Sequence, residues 1–295
     1  MKSTLCRFIF LIGLTALINL CFLGCGRPTP IGNTETRLSL YDNVMRSGIL
    51  RVGYTIYPPG VIKGADGKPR GIAVDVLNEA ASRLNLKTEW VEEVGWATQI
   101  EGLETGRYDI IGTAVWQNPK RARHATLSAP LFYSPLYFYA RSDETRFQSG
   151  FVLEEVNDPA IRISAIEGAT AETIVKGQFP NAVRVTLPQN ADVAQSFLDV
   201  VTRKADLVIS EPYQVKKFLR ANPGAVKNIL EKRPLRVFGN SYMFKRDETA
   251  FENMLNTVIE DLHQSGFIEA KLKQYEQEAG VENAFGRVAP RYLLE

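Results

Sequence analysis

The sequence predicts an α/β protein of two units, each a mostly parallel sheet covered by helices. Three observations lead there. From Ile49 onward, short runs rich in β-branched residues alternate with amphipathic helical stretches, the order of strand–helix–strand units whose strands run parallel. The alternation starts afresh near Asp143. A helix end running into a strand also occurs twice in similar form, as Gly102-Leu103-Glu104-Thr105-Gly106-Arg107-Tyr108-Asp109-Ile110-Ile111 and as Val200-Val201-Thr202-Arg203-Lys204-Ala205-Asp206-Leu207-Val208-Ile209. Two units of like topology would produce that third feature, and so would ordinary α/β repetition.

The elements follow in order. Ile49 to Thr55 alternates apolar residues as a strand and ends in the turn-forming Tyr57-Pro58-Pro59-Gly60. Ala65-Asp66-Gly67-Lys68 has turn composition. A helix from about Ala73 places Ile72, Val76, Leu77, Ala80 and Leu84 on one face. Lys87 to Glu92 is a strand, about Ala97 to Thr105 a helix, Asp109 to Ala114 a buried strand and Leu136 to Arg141 another strand. In the second unit Arg162 to Ile166 and Ala182 to Leu187 are strands separated by a helix from Thr170 to about Phe179. A helix with Val193, Phe197, Val200 and Val201 on one stripe then precedes the buried strand Asp206 to Ser210. From Thr249 the tail is helical. Its stripe of Phe251, Leu255, Val258, Ile259 and Leu262 is too apolar to face water and must dock on a lobe.

The first 24 residues read as an export signal. Lys2 and Arg7 precede an apolar run from Phe8 to Leu23 interrupted by Thr15 and Asn19, shorter than the roughly 20 residues that span a bilayer. The run ends Phe22-Leu23-Gly24-Cys25, similar to a lipoprotein box in which the cysteine is lipidated and becomes the mature N-terminus. Phe22 and Leu23 suit the outer positions of such a box imperfectly and leave ordinary signal-peptidase cleavage open. All three cysteines, Cys6, Cys21 and Cys25, lie in this segment, so the body has neither a disulfide framework nor thiol chemistry. The Pro-, Gly- and Thr-containing stretch 25–40 reads as a tether to the membrane. Without the signal the chain is close to neutral, with interspersed charges and no basic stripe. That excludes nucleic acid as the expected partner.

Several segments in fixed order resemble the periplasmic solute-binding proteins of family 3, which serve polar amino acid ABC transporters. They are Gly48-Ile49-Leu50-Arg51-Val52-Gly53-Tyr54, Tyr57-Pro58-Pro59, Asp66-Gly67-Lys68-Pro69-Arg70-Gly71 with Val74-Asp75-Val76, Leu103-Glu104-Thr105-Gly106-Arg107-Tyr108-Asp109, Asn118-Pro119-Lys120-Arg121 and Ser128-Ala129-Pro130-Leu131-Phe132. The resemblance runs from about Gly48 to Tyr275. It implies a two-lobed periplasmic-binding-protein-like fold joined by a two-strand hinge. Lobe 1 would combine 41–142 with 238–295, lobe 2 would be 143–237, and a solute would sit in the cleft between them.

A free amino acid held in such a cleft needs a guanidinium for its carboxylate, a carboxylate for its ammonium and a pocket for its side chain. Arg121 occupies the position where the family places its carboxylate-binding arginine; the plainer reading is a solvated residue of a charged loop beside Lys120 and Arg123. Glu211 stands where the family usually has an aspartate for the amine, one methylene longer, and would otherwise be an acidic residue in a helix's first turn. Thr170 opens a helix after Gly168-Ala169. It is either a ligand contact or an N-cap. Trp96, Tyr57 and Trp116 are candidates for the side-chain pocket or for core and hinge packing. Trp116 and Ala114 replace hydroxyl residues of relatives that bind basic amino acids, and Gly60 replaces an aromatic, so the resemblance leaves a non-proteinogenic solute open.

The expected function is capture of an amino acid or similar zwitterion outside the cytoplasm by a lipid-anchored monomer, for an ABC permease with a separate ATPase. No phosphate-binding Gly-rich Lys-Ser/Thr loop occurs in the chain, and no cofactor or metal is expected. The competing readings are an enzyme on the same scaffold, like the dehydratases of cyclohexadienyl acids, and a sensory module for a membrane partner. For catalysis the body offers only His124 and His263 among histidines.

Overall fold

A computed structural model describes residues 38–147, 151–230 and 233–288. The expected export signal, Cys25 and the tether as far as residue 37 lie outside these residues.

The first described element is a helix, α1 (Leu40–Ser47), absent from the reading of the sequence. Ser39 caps it by accepting the Asp42 N–H, and Gly48 ends it at φ 67°, where a side chain would be strained. Leu40 and Val44 anchor it in the core. β1 (Ile49–Tyr54), the two-stranded hairpin of β2 (Ile62–Lys63) and β3 (Pro69–Arg70), and α2 (Ile72–Arg83) follow. Next come β4 (Lys87–Glu93), α3 (Gln99–Thr105), β5 (Ile110–Trp116), the single turn α4 (Pro119–Ala122) and β6 (Ala125–Leu127). After β7 (Phe132–Arg141), the second lobe contains β8 (Arg162–Ile166), α5 (Thr170–Gln178), β9 (Val183–Leu187), α6 (Val193–Val201), β10 (Leu207–Ser210), α7 (Pro212–Ala221) and β11 (Val226–Asn228). β12 (Arg236–Lys245) returns the chain to the first lobe, where α8 (Thr249–Gln264) and α9 (Phe267–Ala279) pack.

Hydrogen bonding runs in the order β4-β1-β5-β12-β7-β10-β8-β9. Each end is a parallel trio with its first strand in the middle, β4-β1-β5 on one side and β9-β8-β10 on the other. Between them lie two long antiparallel strands. Phe132–Leu136 of β7 pairs with β12, while the remainder of β7 pairs with β10 and β11. β12 likewise leaves β7 at Asn240 and continues along β5. These two strands carry the sheet from one lobe into the other.

The repeated sequence pattern occupies equivalent places. Asp109 enters β5 and accepts the backbone N–H of Arg51 in the adjacent strand, while holding its guanidinium at 2.6 Å. Asp206 enters β10 and does the same for Arg162, at 2.8 Å from the N–H and 3.1 Å from Nε. Each aspartate thereby sets the register of a parallel pair. The cores divide in the same way. In the first lobe the expected stripe of α8 is buried against β-sheet and α2, with Phe251, Ile259 and Leu262 at most 1 % exposed; each large apolar side chain so buried contributes about 1.5–3 kcal/mol. In the second, Phe138, Ile163 and Val175 pack on one sheet face and Tyr139, Phe197 and Val200 on the other. The terminal helical stretch is two helices, broken at Gly266.

Candidate functional site

The carboxyl ends of β5, β8 and β10 and the start of α5 converge on one cavity of about 50 Å³. Strand ends in open α/β sheets are where ligand sites form. Tyr57, Trp96, Trp116 and Arg121 line it from one side and Thr170 from the other.

Arg121 reaches the cavity because α4 is a tight turn. Asn118 caps it by accepting the Arg121 N–H at 2.9 Å, with Pro119 opening the helix. The side chain is buried, not solvated. Its Nη1 donates to Thr170 Oγ1 at 2.6 Å and to the Trp116 carbonyl at 3.3 Å, and the guanidinium lies 5.7 Å from the Trp96 ring centre. No described carboxylate comes within 4.0 Å of it. Burial lowers its pKa from 12.5 to about 10, so it stays cationic at neutral pH. A guanidinium with five donors is thus buried among neutral acceptors without a counter-charge.

Thr170 is the first residue of α5 and is buried; the N-cap position belongs to Ala169. Its hydroxyl oxygen accepts from Arg121 and, at 3.1 Å, from Asn118 Nδ2. It therefore ties the second lobe to the arginine turn of the first.

The three aromatics form one wall. Tyr57 meets Trp96 edge-on at 5.5 Å and Trp116 at 5.9 Å, and Trp116 stacks on Phe238 at 6.0 Å. Trp116 Nε1 is buried with no hydrogen-bond partner in the described structure. Glu211 sits behind this wall and does not line the cavity. It occupies the N-cap position of α7 without making a capping bond, at 1 % exposure. Burial pushes its carboxyl up from 4.5 to about 7, against the opposing pull of the Ser134 and Tyr57 hydroxyls. Oε2 has no partner. Burial and the adjoining Glu211 also hold the Tyr57 hydroxyl well above its ordinary range.

All six expected residues therefore belong to one cluster, five around the cavity and Glu211 directly behind Tyr57. Three further lining residues, Ser164, Ser196 and Ser210, had no signal in the sequence beyond their place in apolar segments. Ser164 donates to buried Asp199 at 2.9 Å, while Ser210 Oγ has no partner. Neither His124 nor His263 lines the cavity; His263 Nε2 lies 3.1 Å from the Pro130 carbonyl. Among the described residues no group of three His, Cys, Asp or Glu is placed to hold a metal. No described helix is long and apolar enough to cross a membrane.

The lobes meet over the cavity. Gln189 accepts the Trp96 N–H on its carbonyl at 3.4 Å and the Ala97 N–H on its Oε1 at 3.1 Å, and Gln214 donates to the Pro58 carbonyl. Gly168, at φ 75°, allows the close approach: a Cβ there would stand 2.7 Å from the Ala97 nitrogen.

Comparison with known proteins agrees with this architecture. Residues 50–278 match the bacterial extracellular solute-binding proteins, family 3. A probable amino-acid ABC transporter-binding protein of Haemophilus influenzae is 24% identical over 226 residues, covering 76% of this chain and 83% of that protein. Among solved structures, the cysteine-binding protein of Campylobacter jejuni superposes with a TM-score of 0.68 at 19% identity, over 85% of this chain and 96% of the other. The P235GK mutant of ArgBP from T. maritima gives 0.68 at 20% identity over 81% and 99%. The ancestral amino acid-binding protein AncCDT-1, a precursor of cyclohexadienyl dehydratase, gives 0.67 at 22% identity over 81% and 99%.

Proposed function

The chain belongs to the bacterial extracellular solute-binding proteins, family 3, and we propose that it captures an amino acid or similar zwitterion and delivers it to an ABC importer. The observation that carries this reading is Arg121, a buried cation without a counter-charge that bridges to Thr170 of the opposite lobe. A solute carboxylate supplies the missing charge with paired acceptors that match a guanidinium. Glu211, buried with Oε2 unpartnered, supplies the ammonium's counter-charge once the Tyr57 side chain gives way. We assign lobe 1 to 41–142 with 238–295 and lobe 2 to 143–237. A solute touching both favours the closed state because it gains contacts only there. The closed form is what a permease recognises, and a separate ATPase drives transport.

In a thermal-shift screen of the mature protein against amino acids, amines, opines and small organic acids, a zwitterionic ligand is expected to raise the melting temperature. At a hundredfold excess over Kd the gain is about 2.7 kcal/mol, several degrees for a chain of this size. Shifts produced only by amines lacking a carboxylate would contradict the reading.

An enzyme on this scaffold would use Glu211, whose carboxyl titrates near neutrality. With prephenate or arogenate the carrier reading predicts no product, and turnover would contradict it.

We further propose that Cys25 carries the lipid that holds the protein at the extracytoplasmic face of a membrane. The native protein is expected to incorporate labelled fatty acid and a Cys25→Ser variant to incorporate none. Equal labelling of the two would contradict lipidation at that residue.

A further inference from the structure

The cavity wall narrows the solute class within that proposed function. Arg121 is the one charged side chain among the described residues that line it. Beyond Thr170 the wall continues into a recess of the second lobe between β8, β10 and the start of α6. There Ser164, Ser196 and Ser210 stand among Ala165, Val193 and Val208, and all three serines are at most 4 % exposed.

Apart from Arg121, the polar side-chain atoms of the cavity wall are neutral, and two of them lack partners. Ser164 has committed its proton to Asp199 Oδ2 at 2.9 Å, so its oxygen can only accept from a solute. Ser210 Oγ and Trp116 Nε1 are buried with no hydrogen-bond partner in the described structure. An unsatisfied buried polar atom costs about 1–3 kcal/mol, which a small neutral oxygen-bearing group would recover. The alanine and valine walls suit a short apolar chain equally.

Charged side chains fare badly here. A cationic terminus would meet no carboxylate on the wall. Asp199 lies behind Ser164, engaged by that hydroxyl and 3.9 Å from Lys204 Nζ. A second carboxylate would find only Arg121, already committed to the first. Either leaves a buried charge without compensation.

We infer that the solute is an amino acid with a short, uncharged side chain, selected by the serine-lined recess of the second lobe. The inference rests on the amino-acid reading above and is tested separately from it. Titration calorimetry on the mature protein would compare L-alanine, L-serine, L-threonine and L-valine with L-lysine, L-arginine, L-aspartate, L-glutamate and L-phenylalanine. The tightest ligand is expected in the first group, roughly a hundredfold or more ahead of the charged ones. A charged or aromatic amino acid binding tightest would overturn the inference and leave amino-acid capture standing. Binding of no amino acid in either group would overturn the inference, and failure of every zwitterion in the wider thermal-shift screen would overturn the capture reading as well. A Ser196→Asp variant, with its fold checked by circular dichroism, is expected to gain at least about tenfold in affinity for L-lysine. A folded variant with no such gain would remove the recess as the side-chain site, and the native panel needs no variant at all.

Discussion

Changing Arg121 to alanine is expected to weaken solute binding by between about a hundredfold and a few thousandfold, while the ligand-free protein stays folded. The affinity loss follows from removing one partner of a buried charge pair, about 3–5 kcal/mol. The effect on folding is smaller because two contributions oppose. A guanidinium shifted by burial from 12.5 to about 10 carries a desolvation cost of about 3 kcal/mol at roughly 1.4 kcal/mol per pH unit, and the variant loses that cost. It also loses the bonds to Thr170 and the Trp116 carbonyl and the packing on Trp96. An Arg121→Lys variant keeps the charge but not the planar fork, so its affinity is expected to fall between native and alanine. Calorimetry and thermal unfolding on the three proteins check this. An alanine variant binding within threefold of native would refute the role given to Arg121.

The second large effect is a divergence between stability and affinity at Glu211. Its folded carboxyl titrates near 7 against an ordinary 4.5, so the ligand-free folded state binds more protons than the unfolded chain between those values. Stability of the free protein therefore falls as pH rises from about 4.5 to 7, by about 3 kcal/mol in all. A Glu211→Gln variant has no such slope. At pH 8 it is expected to be more stable than native by up to that amount, and to bind the zwitterion far more weakly because the ammonium loses its counter-charge. In the native protein, solute binding draws the carboxyl into its ionised form. Affinity is then expected to weaken below about pH 7, by at most about tenfold per pH unit. Denaturant unfolding from pH 4.5 to 8 and calorimetry over the same range read both effects. Equal solute affinity in native and variant would remove Glu211 from the site.

The sequence made the parallel trios legible because their signals are local. β5 is apolar except for Gly112 and Thr113 and is buried at every position. The α8 stripe recurs at helical spacing, and Asp109 and Asp206 stand at the same point of two similar strings. β12 escaped notice because Gly239, Asn240 and Ser241 interrupt it and resemble a turn. In the fold Asn240 lies inside, donating to Ser134 Oγ at 2.9 Å and the Phe132 carbonyl at 3.3 Å, so its polarity is satisfied between strands. The two-strand hinge was thus expected from the family resemblance alone, because the residues of β12 find their partners a hundred or more positions away.

Family resemblance joined to the requirements of a zwitterion singled out Arg121 and Thr170, which line the cavity, and Glu211, which lies behind Tyr57, whereas composition alone favoured a solvated arginine. Thr170, which accepts a hydrogen bond from buried Arg121, comes from the other lobe, a contact that no local pattern encodes. Ser164, Ser196 and Ser210 were missed for the same reason. Each reads as one small polar residue in an apolar segment, and only the convergence of β8, α6 and β10 makes them a wall.

The most direct measurement is a crystal structure of the mature protein with its tightest solute. The solute's carboxylate is expected within hydrogen-bonding distance of the Arg121 guanidinium and Thr170, with its ammonium on Glu211. A solute bound elsewhere, or one whose charged ends touch neither Arg121 nor Glu211, would contradict it.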